Sequence, residues 1–258
     1  MDWDLSDLGN IAVFNGPRKS KNTYRIHEDA KRLLNLGVPV VLTLPRSGRH
    51  WLMLALECYF RESISYDDSP WSDNSLPNKL LFIHEDMNPE IYGPIDSYLC
   101  LYRKDIVSCI FSNIYKSQVF ALYEATSEEE IKQRRSHISS EGFLLEQVEF
   151  HCDWFKKYHP SFCNRDVVDL ITFEDLQSDI CDVIRRMCLF LKEPYIASEA
   201  ARTQVECTKE KIASLTEPFE VNMSEQYKNL RFQFRSEYED LIYENLFQRL
   251  PGLKTVLG

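Results

Sequence analysis

Hydrophobic positions in this chain fall into short, nearly unbroken runs separated by longer stretches of helical spacing. VPVVLTL (38–44), KLLFI (79–83), SYLCLY (97–102) and VVDLIT (167–172) read as strands, the first with the continuous apolar pattern of burial on both faces. HEDAKRLLNLG (27–37) predicts a helix stopped by Gly37, and RHWLMLALECYF (49–60) has helical length and spacing. Another helix is expected to follow SYLCLY from near Asp105. Residues 127–159 predict one charged and one amphipathic helix, ending at Pro160, and SDICDVIRRMCLFL (178–191) repeats apolar residues at i, i+3, i+4 and i+7. Two further helices are expected around 198–214 and 236–249. The polar stretch SYDDSPWSDNSLPN (65–78) is long enough to serve as a mobile lid.

Strands alternating with helices predict one α/β domain over residues 1–258. Its expected core is a P-loop-like, mostly parallel central sheet flanked by helices on both faces. Ligands of such sheets bind where loops leave the carboxyl ends of strands. TLPRSGRHW (43–51) lies at such an end. A strand–turn–helix unit with small residues in the turn offers free backbone N–H groups and the positive end of a helix dipole. Ser47 and Gly48 let an anion approach the backbone, and Arg46 adds a planar fork of donors. The turn has one glycine and no lysine, so it is not the G-x-x-x-x-G-K-[ST] loop of nucleotide triphosphatases.

Charge narrows the ligand. The chain has 258 residues, with 40 acidic against 30 basic side chains, a net charge of −10. Such a surface disfavours nucleic acid, anionic membranes and polyanionic glycans, and leaves neutral or cationic small molecules as partners. The eight cysteines form no C-x-x-C pair and sit mostly in apolar stretches, as reduced thiols do. His151, Cys152, His159 and Cys163 match no familiar zinc spacing, and no metal is expected. MDWDLSDLGN lacks the apolar core of a signal peptide, and no stretch reaches the ~20 apolar residues that span a bilayer. The expected location is cytoplasmic.

Three segments together resemble a family. TLPRSGRHW is similar to the 5′-phosphosulfate loop, T-x-P-K/R-S-G-T-T-W, of sulfotransferases that use 3′-phosphoadenosine 5′-phosphosulfate (PAPS). SYLCLYRKDIVSCIFS (97–112) resembles their 3′-phosphate segment, and VVDLITFEDLQSDICDVIRRMCLFLKEP (167–194) their later strand–YEDL–helix stretch. The segments keep the family's order over about 150 residues by this motif-level comparison.

The resemblance implies a soluble enzyme that moves a sulfuryl group from PAPS to a hydroxyl or amine of a small acceptor, leaving PAP, without a metal. Self-association as a homodimer is left open. Arg46 would bridge the transferring group and the leaving phosphate oxygen, with Ser47, Gly48, Arg49 and His50 around the 5′-phosphosulfate. Arg49 and His50 replace the usual pair of threonines. Trp51 matches the tryptophan that packs on adenine, and Phe173 replaces the tyrosine of YEDL. Arg103 and a following serine would grip the 3′-phosphate; Ser112 is favoured and Ser108 competes. Asp105 reads as a helix N-terminal charge. His84 is the expected general base, with Glu85 and Asp86 as alternatives and His50 and His27 as weaker candidates. In QYKN (226–229), Tyr227 and Lys228 are the faint echo of the family's C-terminal lid. A nucleotide kinase and a non-catalytic nucleotide-binding scaffold are the competing readings.

Overall fold

A computed structural model of the chain describes residues 37, 39–61, 80–83, 97–124, 127–138, 140–208 and 225–258. The predicted helix at 27–37, its stop Gly37 apart, and the stretch 65–78 lie outside these residues, as do His27, His84, Glu85 and Asp86.

In chain order the elements are β1 (Val40–Thr43), α1 (Arg49–Phe60), β2 (Leu81–Ile83), β3 (Ser97–Tyr102), α2 (Ile106–Glu124), α3 (Glu128–Ile138), α4 (Glu141–Tyr158), β4 (Asp166–Thr172), α5 (Phe173–Ser178), α6 (Ile180–Leu191), α7 (Ala197–Glu206), α8 (Glu225–Arg249) and α9 (Leu253–Leu257). The four strands form one sheet in the order β2-β1-β3-β4, and every pairing among them is parallel. The strands fall where the apolar runs predict them.

Alternation along the strands divides the core. Val40, Leu42, Leu44, Tyr98, Cys100 and Tyr102 bury against α2, α4, α8 and α9. Val41, Leu99, Leu101 and Ile171 bury against α1, α5, α6 and α7 on the other face. A central strand with helices on both sides has no wet face, which is why β1 is apolar at every position but Thr43.

Three helix boundaries need correction. FEDLQS (173–178) is a helix of its own, started by a reciprocal cap in which Thr172 Oγ1 accepts from Asp175 N and Asp175 accepts from Thr172 N. The expected helix at 198–214 is described only as α7, which caps at Cys207. The last long helix starts at Glu225 rather than 236, so QYKN forms its first turns. Its amino-terminal half is rich in charged and polar residues, and only its packing on α2 and α4 reveals its length.

Sheet order determines where a ligand can enter. From β1 the chain passes by α1 to β2 on one side, whereas β3 leads on to β4 on the other. The loops after β1 and β3 therefore diverge, α1 to one face and α2 to the opposite face. A crevice at the carboxyl ends of those two strands is the usual consequence of such a switch.

Candidate functional site

The first wall of the candidate site is the bend after β1. Leu44 N still donates to Leu101 O across the sheet at 2.9 Å, and Ser47 N closes a turn onto Leu44 O at 3.1 Å. Arg46 takes a left-handed conformation at φ 65, which costs a non-glycine residue about 1–2 kcal/mol. Gly48 is also left-handed, at φ 93 and ψ 20, and caps α1 without a side-chain hydrogen bond. The first bond inside α1 runs from Leu52 N to Gly48 O, so the amides ahead of it form the open, positive end of the helix. Ser47 is fully buried there, and its hydroxyl has no hydrogen-bond partner among the described residues. A buried hydroxyl left in that state costs about 1–3 kcal/mol. The bend is chemically suited to an anion.

The second wall is the corner after β3. Arg103 lays its guanidinium 4.4 Å from the Phe173 ring centroid, and its Nε is buried with no partner among the described residues. Glu174 accepts from the amides of Lys104 and Asp105, at 3.1 and 3.3 Å, and so holds the corner in shape. Asp105 caps α2 by accepting from Ser108 N at 3.1 Å. The same carboxylate meets Arg103 at 3.4 Å, Arg231 at 3.2 Å and Arg235 at 3.1 Å. Burial pushes the Asp105 carboxyl upward, but the Ser108 hydroxyl, Arg103 and Arg235 outweigh it and hold the group below the usual carboxylate range.

The two walls touch. Arg46 Nε donates to Ser112 Oγ at 2.7 Å, joining the bend to α2 across 66 residues of sequence. Phe173 lies between them: it stacks on Arg103, meets Trp51 edge-on at 5.6 Å, and approaches Gly48 so closely that a Cβ there would sit 2.7 Å from its ring. Glycine is required at 48 on both counts, the positive φ and the ring beside it.

Of the two competing serines, Ser112 is the one beside Arg46. Ser108 donates to Asp105 at 2.6 Å and accepts from Arg231 at 2.6 Å, so its hydroxyl is already engaged. Trp51 is 9% exposed and its indole N–H donates to Cys207 O at 2.8 Å, so its polar edge is committed to the fold. Arg49 and His50 form the first turn of α1; only the backbone of His50 is described. Lys228 is exposed in the opening turns of α8. His151 and Cys152 lie on α4 within the core; His151 Nδ1 sits 2.6 Å from Gln147 O, and the His159 ring packs among Tyr102, Phe155 and Phe162. Among the described residues no three metal-ligating side chains gather at one place. Nor is any described helix long and apolar enough to cross a membrane.

Sequence reasoning missed Glu174, Arg231 and Arg235. A signal for the arginines exists in RFQFR (231–235), two cations at i and i+4 on one helical face, but nothing local says what that face meets.

No protein-family model matches this chain, and no curated protein matches it.

Proposed function

We propose that the protein transfers a sulfuryl group from PAPS to a hydroxyl or amine of a small, neutral or cationic acceptor. The observation that carries this reading is the hydrogen bond between Arg46 and Ser112. It brings the residue suited to a 5′-phosphosulfate within reach of the segment suited to a 3′-phosphate, at the carboxyl ends of a parallel sheet that this reading takes as P-loop-like. A ligand with an anionic group at each end of a nucleoside fits two basic walls better than a ligand with one.

Each residue then has a task. The amides at the start of α1 and the buried Ser47 hydroxyl receive the 5′ group, and Arg103 and Ser112 receive the 3′-phosphate. Arg46 places a guanidinium there, which stabilises charge developing on the leaving phosphate oxygen rather than donating a proton. In the transfer itself the sulfur–oxygen bond to the 5′-phosphate breaks as one to the acceptor oxygen or nitrogen forms, and the acceptor's proton passes to a base. His84 is the proposed base, with Glu85 and Asp86 as alternatives. No metal enters the proposal, because the migrating group carries about one negative charge and guanidinium and amide donors can offset it. All eight cysteines are free, in keeping with a reducing, cytoplasmic compartment.

Titration calorimetry with PAP and with ATP tests the donor class, and labelled PAPS with a broad metabolite panel then tests transfer. PAP binding well above ATP, followed by labelled product, is the expected result. Preference for ATP favours a kinase. Tight PAP binding without transfer to any acceptor favours a scaffold. Either result overturns the proposal.

A further inference from the structure

We infer that Arg231 and Arg235 of α8, together with Arg103, form an anion subsite that the chain occupies with its own Asp105 carboxylate, which competes with a ligand phosphate for the three guanidinium groups. This deepens the reading above and rests on it: the ligand phosphate is the second anionic group of the nucleotide, and Asp105 regulates how tightly it is held.

Donor and acceptor counts at Asp105 support competition. Oδ2 receives Ser108 Oγ at 2.6 Å, Arg231 at 3.2 Å and Arg103 at 3.4 Å. Oδ1 receives Ser108 N and Arg235, both at 3.1 Å. Those five donors meet about four lone-pair directions, so the carboxylate is oversubscribed. Arg103 has the longest of these contacts, and its Nε has no partner among the described residues. The guanidinium groups thus retain donor capacity that one carboxylate does not use, while the side chains stay reachable, Arg231 and Arg235 each being 38% exposed. A phosphate, with three terminal oxygens and up to two charges, matches that surplus.

Charge leads to the same conclusion. Arg235 also donates to Glu239 at 2.5 Å, and Glu174 caps the amides of the corner. Asp105 therefore meets all three cations and Glu239 meets one of them, so the arginines are partly neutralised without ligand. An incoming phosphate must win the arginines from groups already present. That lowers affinity and speeds release of the same ligand.

A purely structural Asp105, tying α8 to α2, makes the opposite prediction. Its loss would loosen the arginines and weaken binding. Calorimetry with PAP and with adenosine 5′-monophosphate, which lacks the second phosphate, separates the two. Asp105→Asn retains an oxygen to cap α2 and is expected to bind PAP about tenfold more tightly, with the monophosphate unchanged within about twofold. Glu239→Gln, one turn beyond Arg235 on α8 and no part of the cap, provides a second route should Asp105→Asn fold poorly; it is expected to tighten PAP by about threefold. Arg231→Gln is expected to weaken PAP by about tenfold and spare the monophosphate. Wild type that binds PAP while Asp105→Asn and Glu239→Gln bind it no tighter overturns this inference and leaves the donor reading in place. Wild type that binds neither nucleotide overturns both.

Discussion

The bend after β1 and the corner after β3 meet at one candidate site but hold positive charge in opposite ways. At the bend the charge comes largely from backbone amides at a helix end, and the described contacts of Arg46 are a serine hydroxyl and, through its carbonyl, the Cys109 thiol. At the corner it comes from side chains just after β3 and on α8, and those side chains are already paired with carboxylates. A backbone cradle is pre-organised and cannot change partner. A side-chain cluster can exchange one anion for another. The bend is therefore the rigid end of the proposed clasp, and the corner is the adjustable end.

Arg46→Ala attacks the bend directly. If Arg46 stabilises the leaving oxygen, turnover falls about 10²–10³-fold, roughly 3–4 kcal/mol, while PAP affinity changes by less than about tenfold. Steady-state kinetics beside calorimetry check this; equal losses in both would reassign Arg46 to binding alone.

Gly48→Ala tests whether the bend is as rigid as the corner is not. The new Cβ meets the Phe173 ring at 2.7 Å and the backbone must hold φ 93, so a loss of about 2–3 kcal/mol in denaturant unfolding is expected. Because Phe173 stacks on Arg103, PAP affinity should fall with stability. Wild-type stability in this variant would show that Phe173 yields and that the two walls are not coupled through it.

Acid distinguishes the two regions more gently. The buried histidines among the described side chains, His151 and His159, belong to the corner's side of the sheet, and burial pushes each down to about 4. Between the ordinary histidine value and about pH 4 the unfolded chain binds protons that the folded chain does not. Their contribution to stability is thus complete above about pH 6.5 and is lost as pH falls toward 4. His159→Phe, which keeps an aromatic ring against Tyr102 and Phe155, should remove about 2 kcal/mol of the stability difference between pH 7 and pH 5. Urea titrations of variant and wild type at both pH values measure it; an unchanged difference would mean that acid acts elsewhere.

Much of the bend was legible in the sequence. VVLTLPRSGRHW contains its strand, its small-residue turn and the start of its helix in twelve consecutive residues, and each of those features is a local matter of periodicity and backbone stereochemistry. The corner was legible only in part. Arg103 and the two serines lie in one segment, but choosing Ser112 as the partner of Arg46 required seeing which turn of α2 faces the bend. Phe173 was legible as an aromatic surface, whereas its place between Gly48 and Arg103 was not.

By itself the sequence determined alternating strands and helices, a sheet apolar on both faces and a short small-residue turn between the first strand and its helix. Those properties depend on residues a few positions apart, where side-chain spacing and allowed φ/ψ leave little choice. Only the tertiary structure decided that Arg231 and Arg235 would meet Asp105 across 126 and 130 residues of chain. Such a meeting depends on how α8 packs over α2. Packing is a sum of many weak, non-directional contacts spread through the core, and no short stretch of sequence records their outcome.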